Sequence, residues 1–162
     1  MEANEVNAER FETKIKQLYS IIIYLSLAQC VVMTLLSGLI INVLYGSAYL
    51  ESGNLLKVIV WYTTFSYLGS VRSIWMLAQE KQKYLWVINL SGALSNVILN
   101  FVLIPIIGAM GAAIASLISQ AFTNVIMGFI MKPIRRNNVL MIEGVSPKYL
   151  MEMYHYLKSN QE

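Results

Sequence analysis

Residues 84–107, YLWVINLSGALSNVILNFVLIPII, and residues 109–131, AMGAAIASLISQAFTNVIMGFIM, flank Gly108 without a single Asp, Glu, Lys or Arg between them. A helix of about 20 apolar residues crosses the hydrocarbon layer of a bilayer, and each run is longer than that. Pro105 to Gly108 supplies residues that break a helix, so the runs read as two helices joined by a tight turn. Working outward, two earlier runs have the same character, 55–78 and 18–44. The run 18–44, 27 residues long, rises about 40 Å, so it must tilt or project beyond the hydrocarbon.

The rest of the chain agrees. Of its 162 residues 57% are hydrophobic and 13% charged, against roughly 45–50% and 25% in soluble domains. A soluble domain of this length buries only about 70% of its surface, which would leave long apolar runs in water. The expected fold is therefore all-α: an integral membrane bundle of four antiparallel transmembrane helices, 18–44, 55–78, 84–107 and 109–131. It is preceded by an N-terminal segment, 1–17, and followed by a tail, 132–162. The connections are short. Tyr45 to Asn54 contains Gly46 and Gly53, and Gln79 to Lys83 is a charged turn. Residues 1–17 mix acidic and basic side chains and the first run exceeds a signal core of about 7–15 residues, so it is expected to stay in the mature protein. In the tail, Ser146-Pro147 places a hydroxyl before a proline at the first helical position. Tyr149, Leu150, Met153, Tyr154 and Leu157 then recur at helical spacing. A C-terminal amphipathic helix over 147–158 is expected, lying in the membrane interface or docking a partner.

Basic residues near the ends of spans resist translocation, so their distribution sets orientation. Counted from the N-terminal segment through the three connections to the tail, Lys and Arg number 3, 0, 2, 0 and 5. That alternation predicts both termini in the cytoplasm. It also accounts for the net charge of +3 without a nucleic-acid partner. Lys57 is the exception, and its stem can lie along the helix while its ammonium reaches the headgroups.

Every span carries a polar or small side. Asn89, Gly92, Asn96 and Asn100 fall within about 80° on the third. On the fourth, Ala112, Ser116, Ser119, Gln120 and Thr123 cluster, with Gly108, Ala112 and Ser116 at four-residue spacing and Gly111 beside them. Tyr62, Ser66, Gly69 and Ser73 align on the second, and Ser26, Gln29, Cys30 and Ser37 on the first. Such faces either pack helices together or line a water-filled cavity. Packing is the reading for Gly108, Gly111, Ala112 and Ser116; Asn89, Asn96 and Asn100 are cavity candidates. Arg72 is the charged residue set well inside a span. It either snorkels to the cytoplasmic headgroups or faces a cavity, where a guanidinium would match phosphate.

Catalytic chemistry is not expected. Carboxylates lie only in the ends and connections, His155 sits in the tail among aromatic residues, and Cys30 lies inside an apolar run as a packing residue. No phosphate loop, dinucleotide fingerprint or metal-ligand spacing is present, so neither cofactor nor metal is implied.

The stretch from Leu44-Tyr45-Gly46 and Tyr49, through Leu77-Ala78-Gln79-Glu80-Lys81-Gln82-Lys83, to Asn96, Asn100 and the run Leu103-Ile104-Pro105-Ile106-Ile107-Gly108-Ala109-Met110-Gly111-Ala112-Ala113-Ile114-Ala115 resembles the C-terminal region of polysaccharide-biosynthesis flippases. These form the Wzx-like branch of the superfamily that also holds multidrug exporters of the MATE type. The resemblance runs from about Lys14 to Met131. It implies a transporter of two six-helix halves that moves an undecaprenyl-diphosphate-linked oligosaccharide across the bacterial inner membrane by alternating access. This chain resembles only the last four helices. The resemblance therefore also implies missing helices or another membrane subunit, the chain being a truncated or split product or a portion of a longer one, and no translocation by the chain alone. A MATE-like antiporter fragment and a non-transporting accessory protein of surface-glycan assembly are the alternatives.

Overall fold

The computed structural model describes the backbone over residues 2–159 and the side chains over 7–155 and of Lys158; Met1 and the side chain of Leu157 lie outside the described residues. The described chain is helical and contains no strand: α1 Glu2–Tyr45, α2 Ser52–Ala78, α3 Leu85–Ala121, α4 Met127–Ile130, α5 Arg135–Glu143 and α6 Pro147–Ser159. Short 3-10 turns at Ser47–Tyr49, Gln82–Tyr84 and Lys132–Ile134, and a π-helical stretch at Phe122–Ile126, fill the joints.

Residues 2–17 are helical and continuous with the first apolar run. α1 extends unbroken for 44 residues, about 66 Å, because no Gly or Pro interrupts it before Gly38. It stops at Gly46, whose φ of 88° turns the chain out of the helix. α2 ends differently. Glu80 takes φ 53°, its N–H bonds the Leu77 carbonyl, and the Lys81 N–H reaches back to Met76 at 2.7 Å. These two bonds satisfy two of the last free carbonyls of the helix.

α3 is a hairpin. Its helical dihedrals fail at Ile107 (φ −131°, ψ 17°) and Gly108 (φ 59°, ψ −137°). Beyond them the chain returns antiparallel on itself: Asn96 meets Ser116, and Gly92 meets Thr123. The break expected between Pro105 and Gly108 therefore falls on its last two residues, while Pro105 stays helical. Close return needs glycine at 111, where a Cβ would lie 2.5 Å from the Leu103 carbonyl oxygen. The buried small residues of this return leg are Gly111, Ala113, Ala115 and Ser119. Of the expected packing residues Gly108, Gly111, Ala112 and Ser116, Gly111 is the buried one, and the closely packed row runs 111, 115, 119. Gly108 serves the turn, and Ala112 and Ser116 are only half-buried.

α2 packs along both α1 and α3. One apolar cluster joins Ile15 and Tyr19 of α1 to Trp75 and Met76 of α2 and to Ile134 and Leu140 near the C-terminus. The tail is more ordered than its sequence suggests, since α5 precedes the amphipathic helix and buries Asn137, Asn138, Leu140 and Met141. α6 appears where expected and lies against α1. Its first turn uses the Ser146 carbonyl, which accepts from the Tyr149 N–H at 3.3 Å. Lys16, Arg136 and Lys81 surround this one end of the molecule: Lys16 pairs with Glu143 at 2.5 Å, Arg136 with Glu12, and Lys81 covers the Trp75 ring at 4.6 Å.

Two helical stretches, Asn7–Tyr45 and Gln82–Ile130, are long and apolar enough to cross a membrane. The expected span over 55–78 does not reach the same apolarity, because α2 carries Lys57, Arg72 and a series of Ser, Thr and Gly residues. The apolar side chains of α1 and α3 point largely outward. Leu35, Val43, Phe101 and Ile106 are between 71% and 82% exposed, which is a surface that water does not tolerate in such quantity.

Candidate functional site

The two legs of α3 and the middle of α2 enclose a cleft of about 310 Å³. On the first leg Asn89, Gly92 and Asn96 fall on one stripe because three- and four-residue steps keep a helical face. On the return leg Ser116, Gln120 and Thr123 do the same, and the turn at Gly108 brings the stripes face to face. α2 adds Tyr62. The absence of a side chain at Gly92 makes room for the Thr123 hydroxyl, which occupies the position a Cβ would take. No charged side chain lines the cleft.

Hydrogen bonds order the walls. Asn100 donates its amide N–H to Asn96 Oδ1 at 2.9 Å, and Asn96 Nδ2 reaches Ser116 Oγ at 3.5 Å. Asn100 Oδ1 is buried with no partner, and so is Ser119 Oγ within the cleft wall. Thr123 Oγ1 donates to the Ser119 carbonyl at 2.6 Å.

Behind the cleft lies the π-helical stretch Phe122–Ile126. An i→i+5 turn widens the helix and disturbs its carbonyl ladder, and such bulges recur at functional sites. Two side chains hold this one. Arg72 Nη1 donates to the Thr123 carbonyl at 2.6 Å, and Asn138 Nδ2 donates to the Val125 carbonyl at 2.6 Å. Arg72 Nη2 also donates to Asn124 Oδ1 at 2.9 Å. From there a line of amides leads to the cleft: Asn124 Nδ2 donates to Gln120 Oε1, and Gln120 Nε2 donates to the Tyr62 hydroxyl oxygen at 3.0 Å.

The structure thus brings Asn89 and Asn96 to one cleft and ties Asn100 to it through Asn96. Arg72 is elsewhere. It is 3% exposed, so it neither snorkels to headgroups nor faces the cleft. Its position next to Leu68 and Val71 turns it into the packed side of α2, where the bulge carbonyl and Asn124 receive it. Tyr62, Gln120 and Thr123 were visible in the sequence as members of polar helix faces, but not as parts of one site with the asparagines. Asn124 and Asn138 gave no signal, because their partners exist only where the bulge forms. Gln29, grouped with the small side of the first span, points outward. Ser26, Cys30 and Ser37 of the same group are buried, and the Cys30 thiol bonds the Val60 carbonyl of α2 at 3.3 Å.

Fold and site together define an all-helical chain with an apolar exterior and an uncharged polar cleft inside one helical hairpin. Comparison with protein-family models, curated proteins and solved structures finds no match.

Proposed function

We propose that this chain is part of a membrane transporter of the polysaccharide-flippase type, set in the bacterial inner membrane with both termini cytoplasmic. Its four helical passes, α1, α2, the first leg of α3 and the return leg continued through Phe122–Ile126 and α4, would span the bilayer. Its substrate would be an undecaprenyl-diphosphate-linked oligosaccharide moved by alternating access. The observation that carries this reading is a cleft walled by amides and hydroxyls within a chain whose outer surface is apolar. Polar groups at membrane depth are costly unless they meet each other or water, and a transporter uses them to spare a polar substrate from hydrocarbon.

Lys16, Lys81 and Arg136 gather at one end, which supports the cytoplasmic assignment of that end. Asn89 is exposed at the cleft wall. An amide left open in this way favours a bundle completed by further helices or another membrane subunit over a self-contained scaffold. Alternating access requires one half of a transporter to rock against the other, so liposomes holding this chain alone are expected to show no translocation.

The test is thiol labelling in native membranes, where Cys30 is buried and silent. Asn89→Cys should react with a membrane-impermeant maleimide, and added lipid-linked oligosaccharide should protect it. An Asn89→Cys thiol that never reacts from water, or that reacts equally with and without the oligosaccharide, would overturn the proposal.

A further inference from the structure

The hydrogen bonds between Arg72 and Tyr62 all run one way. A guanidinium has donors and no acceptor, so Asn124 must turn its oxygen toward Arg72. Its nitrogen is then left to face Gln120, whose facing atom must be the oxygen. Gln120 therefore presents its nitrogen to Tyr62. Amide orientations are otherwise ambiguous, but a cation at the root of the chain removes the ambiguity. Tyr62 receives a hydrogen bond and keeps its own proton. Among the described residues no acceptor takes that proton, and Tyr62 stands at the cleft wall.

A second line of bonds reaches the cleft, where Asn100 donates to Asn96 and Asn96 to the Ser116 hydroxyl. The Tyr62 and Ser116 hydroxyls thus line a space with no charged side chain. Burying an anion there would strip its hydration without a counter-charge, whereas a neutral oxygen needs only the hydrogen bonds on offer.

We infer that the cleft binds an uncharged ligand group through its acceptor oxygen, with Tyr62 as donor and Arg72 as the buried positioning residue that fixes Tyr62 in that role. The ligand class is a neutral amide, ester or hydroxyl oxygen. This rests on the cleft being the ligand site proposed above, and it assigns that cleft to the uncharged part of a substrate and not to its phosphates. Arg72 acts at a distance, through two amides.

The experiment uses the full chain in nanodiscs and two small probes of similar shape, N,N-dimethylacetamide, which only accepts hydrogen bonds, and acetate, its anionic counterpart. Binding is followed by the ¹⁵N shift of the Gln120 side-chain amide. The direction of the Tyr62 bond is followed by its infrared C–O stretch in the difference between wild type and Tyr62→Phe. Dimethylacetamide should give a saturable shift and acetate a weaker one or none. Tyr62→Phe, which removes one hydroxyl from a half-buried wall position, should weaken dimethylacetamide binding by about five-fold, the value of one hydrogen bond.

Asn124→Asp separates positioning from mere structure. The introduced carboxylate can only accept, so Gln120 must turn its nitrogen toward it and its oxygen toward Tyr62. Tyr62 then donates to Gln120 and has only lone pairs for the cleft. Dimethylacetamide binding should fall by about the same five-fold, the Tyr62 stretch should move to the position of a donor engaged within the protein, and the unfolding midpoint should not fall. Tighter binding of acetate, absence of a saturable shift, or equal binding of dimethylacetamide by wild type and Tyr62→Phe would overturn the inference. None of these readouts requires transport, so loss of substrate protection at Asn89→Cys with these results intact would sink the transporter proposal alone.

Discussion

Tyr19 of α1 and Asn137 of α5 exchange two hydrogen bonds, the Tyr19 hydroxyl donating to Asn137 Oδ1 at 3.0 Å and Asn137 Nδ2 donating to the Tyr19 oxygen at 2.8 Å. Both residues are fully buried. Tyr19→Phe keeps the ring and strands the Asn137 amide away from water, which costs about 1–3 kcal/mol. The unfolding midpoint in detergent should drop accordingly, and proteolysis should begin in the C-terminal helices. An unchanged midpoint would mean that the tail is not docked through this pair.

The docking of α5 also depends on pH. The hydrogen bond from Arg136 and its positive charge hold the Glu12 carboxyl below its ordinary value of 4.5. A lowered carboxylate pKa stabilises the folded state above that ordinary value, and the contribution disappears as pH falls through the folded-state value. Glu12→Gln removes the charge at every pH. At pH 7 it should destabilise by about 0.2–1 kcal/mol, the usual worth of an exposed pair. The gap between the two proteins should close as pH falls from above the ordinary value of 4.5 through the lowered folded-state value. A gap that stays constant throughout the acid titration would place the effect elsewhere than in ionisation.

Glu80 holds a left-handed conformation, φ 53°, at the position where helices favour glycine. A side chain there costs about 1 kcal/mol. Glu80→Gly should therefore raise the unfolding midpoint, with no change in labelling at the cleft. A lowered midpoint would show that the carboxylate contributes something beyond its backbone strain.

The turn of α3 depends on Gly108 in a region that side chains do not enter, φ 59° and ψ −137°. Gly108→Ala should cost about 1–3 kcal/mol. It should also lower the yield of a disulfide between Asn96→Cys and Ser116→Cys, whose parent side chains meet across the hairpin at 3.5 Å. Equal crosslinking with and without Gly108→Ala would mean that the legs pair independently of the turn.

For the proposed membrane arrangement, Tyr49→Cys in the first connection and Lys83→Cys in the second should react with an impermeant thiol reagent from opposite sides of the membrane. Both positions are exposed. Reaction from the same side would remove α2 as a span.

Much of the fold could be read before the structure. Apolar run lengths and the Pro105–Gly108 interruption located the helices and the hairpin turn, because a bilayer-length run and a glycine each act locally. The three asparagines of the third run were legible as one face for the same reason, since 100° per residue holds along a single helix. What was not legible was which faces meet. Gly111 packs as expected, but its partners in the buried row are 115 and 119 and not 112 and 116, because which face of the return leg turns inward is set in space and not along the sequence.

By itself the sequence determined that this chain is helical, that it holds runs long and apolar enough to cross a membrane, and that amides recur on one side of one helix; each follows from composition and periodicity. Only the tertiary structure decided where Arg72 goes. Its depth in the span left lipid headgroups or a cavity as its surroundings, yet it lies against the carbonyl of Thr123, 51 residues away. That carbonyl is available because the helix widens into a π turn, and Asn124, Gln120 and Tyr62 transmit the arginine's fixed polarity to the cleft. Hydrogen-bond direction depends on which donor meets which acceptor in space, and no periodicity along the chain encodes that.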